Sequence, residues 1–205
     1  MTSLPPILTA DRAVVGLVLA GGRSVRFGGE KAAALLAGKP LLQWAAERLA
    51  ASCAAVAVNA RPASEAERLA GALPVLHDRP GDPDGPLAGV RAGLEWAGSR
   101  GASFLAVSPC DAPLVPDDLF PRLIAAAREA GAAVAETPDG VQPQFAVWPV
   151  SALPLVDTAI AGGVHPPTWR MLQAIGAVPV RFDDPAAFAN VNTREDLDAL
   201  AARLR

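Results

Sequence analysis

Cysteine, histidine and lysine are all scarce in this chain of 205 residues, and each scarcity narrows what the protein can do. Two cysteines, Cys53 and Cys110, are too few for a disulfide framework and match no metal-ligand spacing, which points to a reducing compartment. The two histidines, His77 and His165, stand beside no serine or cysteine with a third orienting group, so triad chemistry has no support. There is no excess of positive charge either. A net charge of −3 and a pI near 5.4 argue against a nucleic-acid or acidic-membrane surface, where a basic stripe is expected. The first twelve residues lack a basic segment followed by an apolar run. The apolar run at 13–20 falls far short of the ~20 residues that cross a bilayer, so a cytoplasmic protein without a membrane partner is expected.

Lysine is the most telling scarcity. Of 18 basic residues only Lys31 and Lys39 are lysine, and the rest are arginine. One of the two follows the most informative stretch of the chain, Val18-Leu19-Ala20-Gly21-Gly22-Arg23-Ser24-Val25-Arg26-Phe27-Gly28-Gly29-Glu30-Lys31. An apolar strand runs here into a glycine-rich loop, whose backbone N–H groups can close around phosphate oxygens. A plain strand-to-helix turn would need only the glycines, whereas Arg23, Arg26 and Lys31 favour a phosphate site. Two familiar fingerprints are absent. A dinucleotide motif starting at Gly21 needs glycines at 23 and 26, which are arginines, and a P-loop lysine follows glycine, whereas Lys31 follows Glu30.

The hydrophobic content of 51% with 19% charged residues fits one soluble globular domain over 1–205. Apolar runs at 14–20, 54–58, 74–77, 104–107 and 132–135 read as strands, and helical spacing appears at 64–73, 87–97 and 117–130. Pro40 fits the first helical position before Leu41, Leu42, Ala45 and Leu49, and Ser64 fits a helix cap. This alternation predicts an α/β fold, a three-layer α/β/α arrangement around a mostly parallel twisted sheet. Beyond Glu136 the rhythm changes: Asp139-Gly140 signals an antiparallel hairpin into 142–148, then two short helices and a strand at 177–182. A final helix carries a capping box, Thr193 with Asp196, ahead of Leu197, Leu200 and Leu204.

Ligands of open parallel sheets bind beyond the carboxyl ends of the strands. Four loops leave such ends here. Besides the glycine loop, Ser108-Pro109-Cys110-Asp111-Ala112-Pro113 presents Asp111, either as a ligand for Mg²⁺ or as a turn cap; Asp117 and Asp118 suit the following helix start better. Cys110 reads as a small core residue. In the third loop Asp78 is held for base or ribose contact, Gly85-Pro86-Leu87-Ala88-Gly89 opens a helix, and Asp82 and Asp84 suit an acidic solvated loop. In the fourth, Asn59 either hydrogen-bonds a ligand or caps a turn.

Together these pieces resemble the molybdenum cofactor guanylyltransferase family, within the larger group of sugar-nucleotidyltransferase-like enzymes. The resemblance rests on Leu19-Ala20-Gly21-Gly22-Arg23-Ser24-Val25-Arg26-Phe27-Gly28, Glu30-Lys31, Gly38-Lys39-Pro40-Leu41, Gly85-Pro86-Leu87-Ala88-Gly89, Pro109-Cys110-Asp111 and Asn190-Val191-Asn192-Thr193. It implies a Rossmann-like nucleotidyltransferase fold and transfer of GMP from GTP to the terminal phosphate of molybdopterin, with release of pyrophosphate. A nucleotide- and metal-binding half over 14–112 and an acceptor-binding half over 113–205 follow. By the same resemblance Leu19, Ala20, Gly21, Gly22 and Gly85 contact the nucleotide, Lys31 its phosphates, and Asn59 and Asp78 the nucleoside. Asp111 binds Mg²⁺ and nucleotide, Arg26 contacts phosphate or the transition state, and Asn190, Asn192 and Arg170 approach the acceptor. A downstream molybdoenzyme or cofactor-insertion partner is implied, with the chain a monomer or weak homo-oligomer. Gly21 favours GTP, because related cytidylyltransferases carry Leu-Ala-Ala-Gly there and a Cβ would crowd a purine. A CTP-dependent transferase and a catalytically inactive GTP-binding accessory module are the alternatives. Glu30 replaces the family's aspartate and Arg194 its frequent proline, and Gly162-Gly163-Val164-His165 lacks the basic residues that relatives place there.

Overall fold

The computed structural model describes residues 14–22 and 27–204. The first strand, β1 (Val14–Leu19), has no polar side chain and feeds two cores at once. Val14 and Val18 point into one apolar cluster and Val15 and Leu17 into the other, the period-2 pattern of a strand covered on both faces. It pairs in parallel with β4 (Val56–Asn59) on one side and β6 (Phe104–Pro109) on the other. With β5 (Val75–Leu76), β7 (Ala133–Thr137), β8 (Gly140–Pro149) and β9 (Val178–Arg181), these strands form a seven-stranded sheet ordered β5-β4-β1-β6-β8-β7-β9. Among the described residues only β8 runs against its neighbours; every other pairing in the sheet is parallel.

Helices cover both faces. On one side lie α1 (Leu41–Ala50), α2 (Glu65–Leu69) and α4 (Leu119–Ala130); on the other lie α3 (Pro86–Ser99), α5 (Leu153–Ile160) and α6 (Thr168–Ala174). The stripe Leu41, Leu42, Ala45 and Leu49 is the buried face of α1, as its helical spacing predicts. Helix α3 lies against the sheet because Gly89 and Gly93 have no side chains. A Cβ on Gly89 would stand 2.4 Å from Asn59 Oδ1, and one on Gly93 2.6 Å from Leu17 Cδ2. The last helix, α7 (Arg194–Arg203), covers a smaller cluster of Phe27, Leu36, Leu41, Val191 and Leu200.

Several expectations shift. Pro40 is not the first residue of α1; it belongs to a two-stranded ladder of β2 (Leu35–Leu36) and β3 (Lys39–Pro40), with Leu41 following. Ala37 and Gly38 both have positive φ, at 50° and 78°, the two-residue turn that matches strand twist and that the sequence reading passed over. Ser64 caps α2 by accepting from Glu67 N–H at 3.2 Å, but the helix stops at Leu69 rather than 73. Asp117 and Asp118 do not cap α4: Asp118 makes no capping bond, and Asp117 pairs with Arg48 of α1. The capping box at Thr193 and Asp196 is present, whereas Leu204 lies beyond α7 and is exposed.

Candidate active site

The carboxyl ends of β1, β4, β5 and β6 open onto one cavity of about 950 Å³. Its walls are the four loops singled out from the sequence. Leu19 to Gly22 leave β1, Asn59 ends β4, Asp78 and Asp84 to Pro86 follow β5, and Pro109 to Asp111 close β6. Parallel strands deliver their loops to one edge, so residues 90 positions apart in sequence meet there.

Lys31 is the hub. It sits on a single 3-10 turn, Lys31–Ala33, and its Nζ donates to Asp111 Oδ2 at 2.9 Å and to Asn192 Oδ1 at 2.7 Å. The ammonium is thereby aimed at the cavity floor, at the end of β6, by two partners from distant segments. Asn192 is itself held: its backbone N–H and that of Thr193 both donate to Asp196 Oδ2 at 2.8 Å, while Val191 N–H donates to Asp111 O at 2.7 Å. These backbone donors keep the Asp196 carboxyl below its ordinary range. The capping box of the last helix therefore also fixes the loop that braces the lysine.

Glu30 shows what its longer side chain does. Its Oε2 accepts from Ala66 N–H at 3.1 Å, in the first turn of α2, and Arg61 lies 3.7 Å from Oε1. The carboxylate ties the glycine loop to that helix start, where anions are favoured.

On the far wall Asn59 is 4% exposed and donates through Nδ2 to Asp78 Oδ1 at 2.9 Å and to Leu76 O at 3.2 Å. Both donors being engaged, its Oδ1 faces Gly21 and Gly89. Burial pushes the Asp78 carboxyl above its ordinary range, and the bond from Asn59 opposes that rise. Asn59 is thus a strut between two loops and not a turn cap.

The acidic loop differs from the sequence reading. Asp82 is not solvated: it pairs with Arg91 of α3, which is 4% exposed, and it also accepts from Arg79 N–H at 2.8 Å. A buried guanidinium requires a counter-charge, and Asp82 provides it. Asp84 is exposed to solvent but lines the cavity. Cys110 also lines it from beneath; burial raises its thiol to about 12, as it does for Cys53, in keeping with a core residue.

Arg26 and Arg23 lie outside the described residues. Arg170 is exposed on α6, its guanidinium 5.3 Å from the Trp169 ring, and Asn190 is exposed; neither lines the cavity. Gln144, Arg61 and Asp84 do line it, and the sequence reading missed them as site residues. Gln144 could not be seen without topology. Because β8 runs antiparallel to β6, with Ala146 opposite Val107, the residues before Ala146 run toward the carboxyl end of β6 and bring Gln144 level with Pro109. Among the described residues no group of three or more His, Cys, Asp and Glu side chains stands ready to hold a metal.

Both the sequence and the fold have known relatives. Residues 16–177 match the model of the MobA-like NTP transferase domain. The chain is 42% identical over 192 residues to a molybdenum cofactor guanylyltransferase of Cereibacter sphaeroides, covering 93% of this chain and 96% of that protein. It is 40% identical to one of Rhodobacter capsulatus, covering 94% and 97% respectively. Among solved structures it resembles the molybdopterin-guanine dinucleotide biosynthesis protein A of Archaeoglobus fulgidus, at a TM-score of 0.74 and 25% identity, over 93% of this chain and 98% of that one. A 4-diphosphocytidyl-2C-methyl-D-erythritol synthase of Anaerococcus prevotii shares the fold at a TM-score of 0.72, with 11% identity, over 94% and 96% of the two chains. The chain belongs to the MobA-like NTP transferase family.

Proposed function

We propose that this protein transfers GMP from GTP to the terminal phosphate of molybdopterin, giving the guanine dinucleotide form of the molybdenum cofactor and pyrophosphate. The observation that carries the reading is Lys31 held between Asp111 and Asn192 at the carboxyl end of β6, in a cavity walled by the glycine loop. The relatives named as molybdenum cofactor guanylyltransferases support the same chemistry. Residues 14–112 form the nucleotide side and 113–205 the acceptor side.

In this reading Leu19 to Gly22 and Gly85 cradle the nucleotide, Asn59 and Asp78 hold the nucleoside, and Lys31 takes phosphate oxygens. Asn192 braces Lys31 from the acceptor side; Arg26, Arg170 and Asn190 remain assignments by family likeness. An oxygen of the acceptor's terminal phosphate attacks the α-phosphorus of GTP, and the bond to the bridging oxygen of the β-phosphate breaks. The attacking group is already anionic at pH 7, so no base is needed, and neither histidine lines the cavity. Catalysis is then positioning plus neutralisation of charge on the departing pyrophosphate.

Mg²⁺ is the metal the family implies, and the donor set fits it. Asp111 offers one hard carboxylate at the cavity floor, and Mg²⁺ takes one or two carboxylates with substrate phosphates supplying further oxygens. When bound, the ion adds positive charge beside the leaving phosphates. Base choice is assigned to Gly21: a Cβ there would meet only Asn59 Oδ1, at 3.5 Å, an ordinary contact. The protein itself would accept alanine at 21, so a glycine there matters to the ligand.

The test mixes the protein with Mg²⁺, GTP and molybdopterin and follows pyrophosphate. Release that depends on all three components is expected. GTP binding without release would make the chain a binding module instead.

A further inference from the structure

His165 lies between α5 and α6, on the acceptor side of the proposed reading, yet it reaches the nucleotide side. Its Nε2 accepts a hydrogen bond from Leu87 N–H at 3.0 Å. That N–H belongs to the first turn of α3, whose donors have no intrahelical partner. The residue at the helix start, Gly85, has no side chain to cap it, and Pro86 follows. Asp, Ser, Thr or Asn normally does this work from the helix's own N-terminus; here an imidazole 78 residues away does it. The bond uses Nε2 as an acceptor, which requires the tautomer that carries its proton on Nδ1.

The same ring lies against the backbone of Gly85. A Cβ built there would come within 2.2 Å of His165 Cδ2 and 2.3 Å of Nε2, and the φ of +149° independently disfavours any other residue. Asp84, Gly85 and Pro86 are cavity wall. His165 therefore presses on one side of the turn and bonds to the residue after it.

We propose that His165 is a positioning residue for the nucleotide site: an unprotonated acceptor at the Nε2 position fixes the Gly85–Leu87 turn and couples the acceptor-side loop to nucleotide affinity. The inference rests on the reading of the cavity as a nucleotide site, though not on which base is bound. It gives the 162–165 loop a part in the site: the loop supports the wall formed by Asp84, Gly85 and Pro86 without itself lining the cavity.

The test compares His165→Leu, His165→Gln and His165→Asn in the full chain. Affinities for GTP, CTP, ATP and UTP are measured with Mg²⁺ by calorimetry, and amide exchange is read at Leu87. Losing the acceptor leaves Leu87 N–H unpaired, so His165→Leu should weaken the preferred nucleotide about tenfold and speed exchange at Leu87. Glutamine carries its oxygen at about the reach of Nε2 and should restore both readouts. Asparagine is one methylene short and should not, which separates positioning from mere filling of space. Equal affinity in wild type and His165→Leu, or rescue by asparagine as good as by glutamine, overturns the proposal. Preference of the wild type for CTP, with the His165 series still ordered as expected, overturns the GTP reading and leaves this proposal standing. If the leucine variant fails to fold, the glutamine and asparagine pair decides alone.

Discussion

Lys31 ties its own turn to Asp111 and Asn192 from two distant segments, and these residues should respond differently to substitution. Removing Asp111 takes away the carboxylate assigned to the metal and leaves the Lys31–Asn192 bond in place. Asp111→Ala should lower kcat on the order of a thousandfold with the fold retained, and near-normal turnover at ordinary Mg²⁺ would contradict the metal assignment. Lys31→Ala removes a charged donor to phosphate and should weaken GTP about 10- to 100-fold by calorimetry; unchanged affinity would end its phosphate role. The cysteines should do little. With both thiols raised to about 12, native protein at pH 8 should resist iodoacetamide at Cys53 and Cys110, as mass spectrometry would show, and labelling should require unfolding.

Helix α3 and helix α7 show how elements serve the site. Gly93→Ala places a Cβ 2.6 Å from Leu17 and 2.8 Å from Leu105, so despite better helix propensity it should cost about 1–3 kcal/mol in denaturant titration. Helix α7 carries one pH dependence. The Asp196 carboxyl is held below its ordinary range by the N–H groups of Asn192 and Thr193, so its folded pKa lies under its unfolded one. The stabilisation is then present above the unfolded value, about 4, and is lost as pH falls through the folded value. Acid should loosen α7 and Asn192 before the sheet, with amide exchange at 192 to 196 rising first; uniform exchange across the chain would contradict this.

How far the elements could be read depended on whether their cause was local. The buried strand β1, the stripe of α1, the Ser64 cap and the Thr193–Asp196 box each follow from neighbours in sequence, and each is present. The Asp139-Gly140 hairpin is present too. What failed to show was set by distant partners. Asp82 reads as solvated until Arg91 is seen buried behind it, Asp117 reads as a cap until Arg48 reaches it, and Gln144 enters the cavity only because β8 reverses beside β6.

For the whole molecule, the four loops expected at strand ends do converge, and Lys31, Asn59, Asp78 and Asp111 line one cavity as the sequence reading placed them. The acceptor side was less legible. Arg170 and Asn190 stand outside the cavity, and the Gly162–His165 stretch meets the cavity-lining turn through the bond that His165 accepts from Leu87 N–H. The fold is shared with a 4-diphosphocytidyl-2C-methyl-D-erythritol synthase at 11% identity, so architecture alone does not choose the base. That choice is assigned to Gly21, where the protein leaves room that a purine would use.

The direct measurement is nucleotide transfer to molybdopterin with Mg²⁺ and an equimolar mixture of GTP and CTP, the dinucleotide products resolved by chromatography, for the wild type and Gly21→Ala. The guanine dinucleotide should be the product of the wild type, and Gly21→Ala should lose preference for GTP without unfolding. Formation of the cytosine dinucleotide instead would contradict the account, as would a Gly21→Ala variant with undiminished preference for GTP.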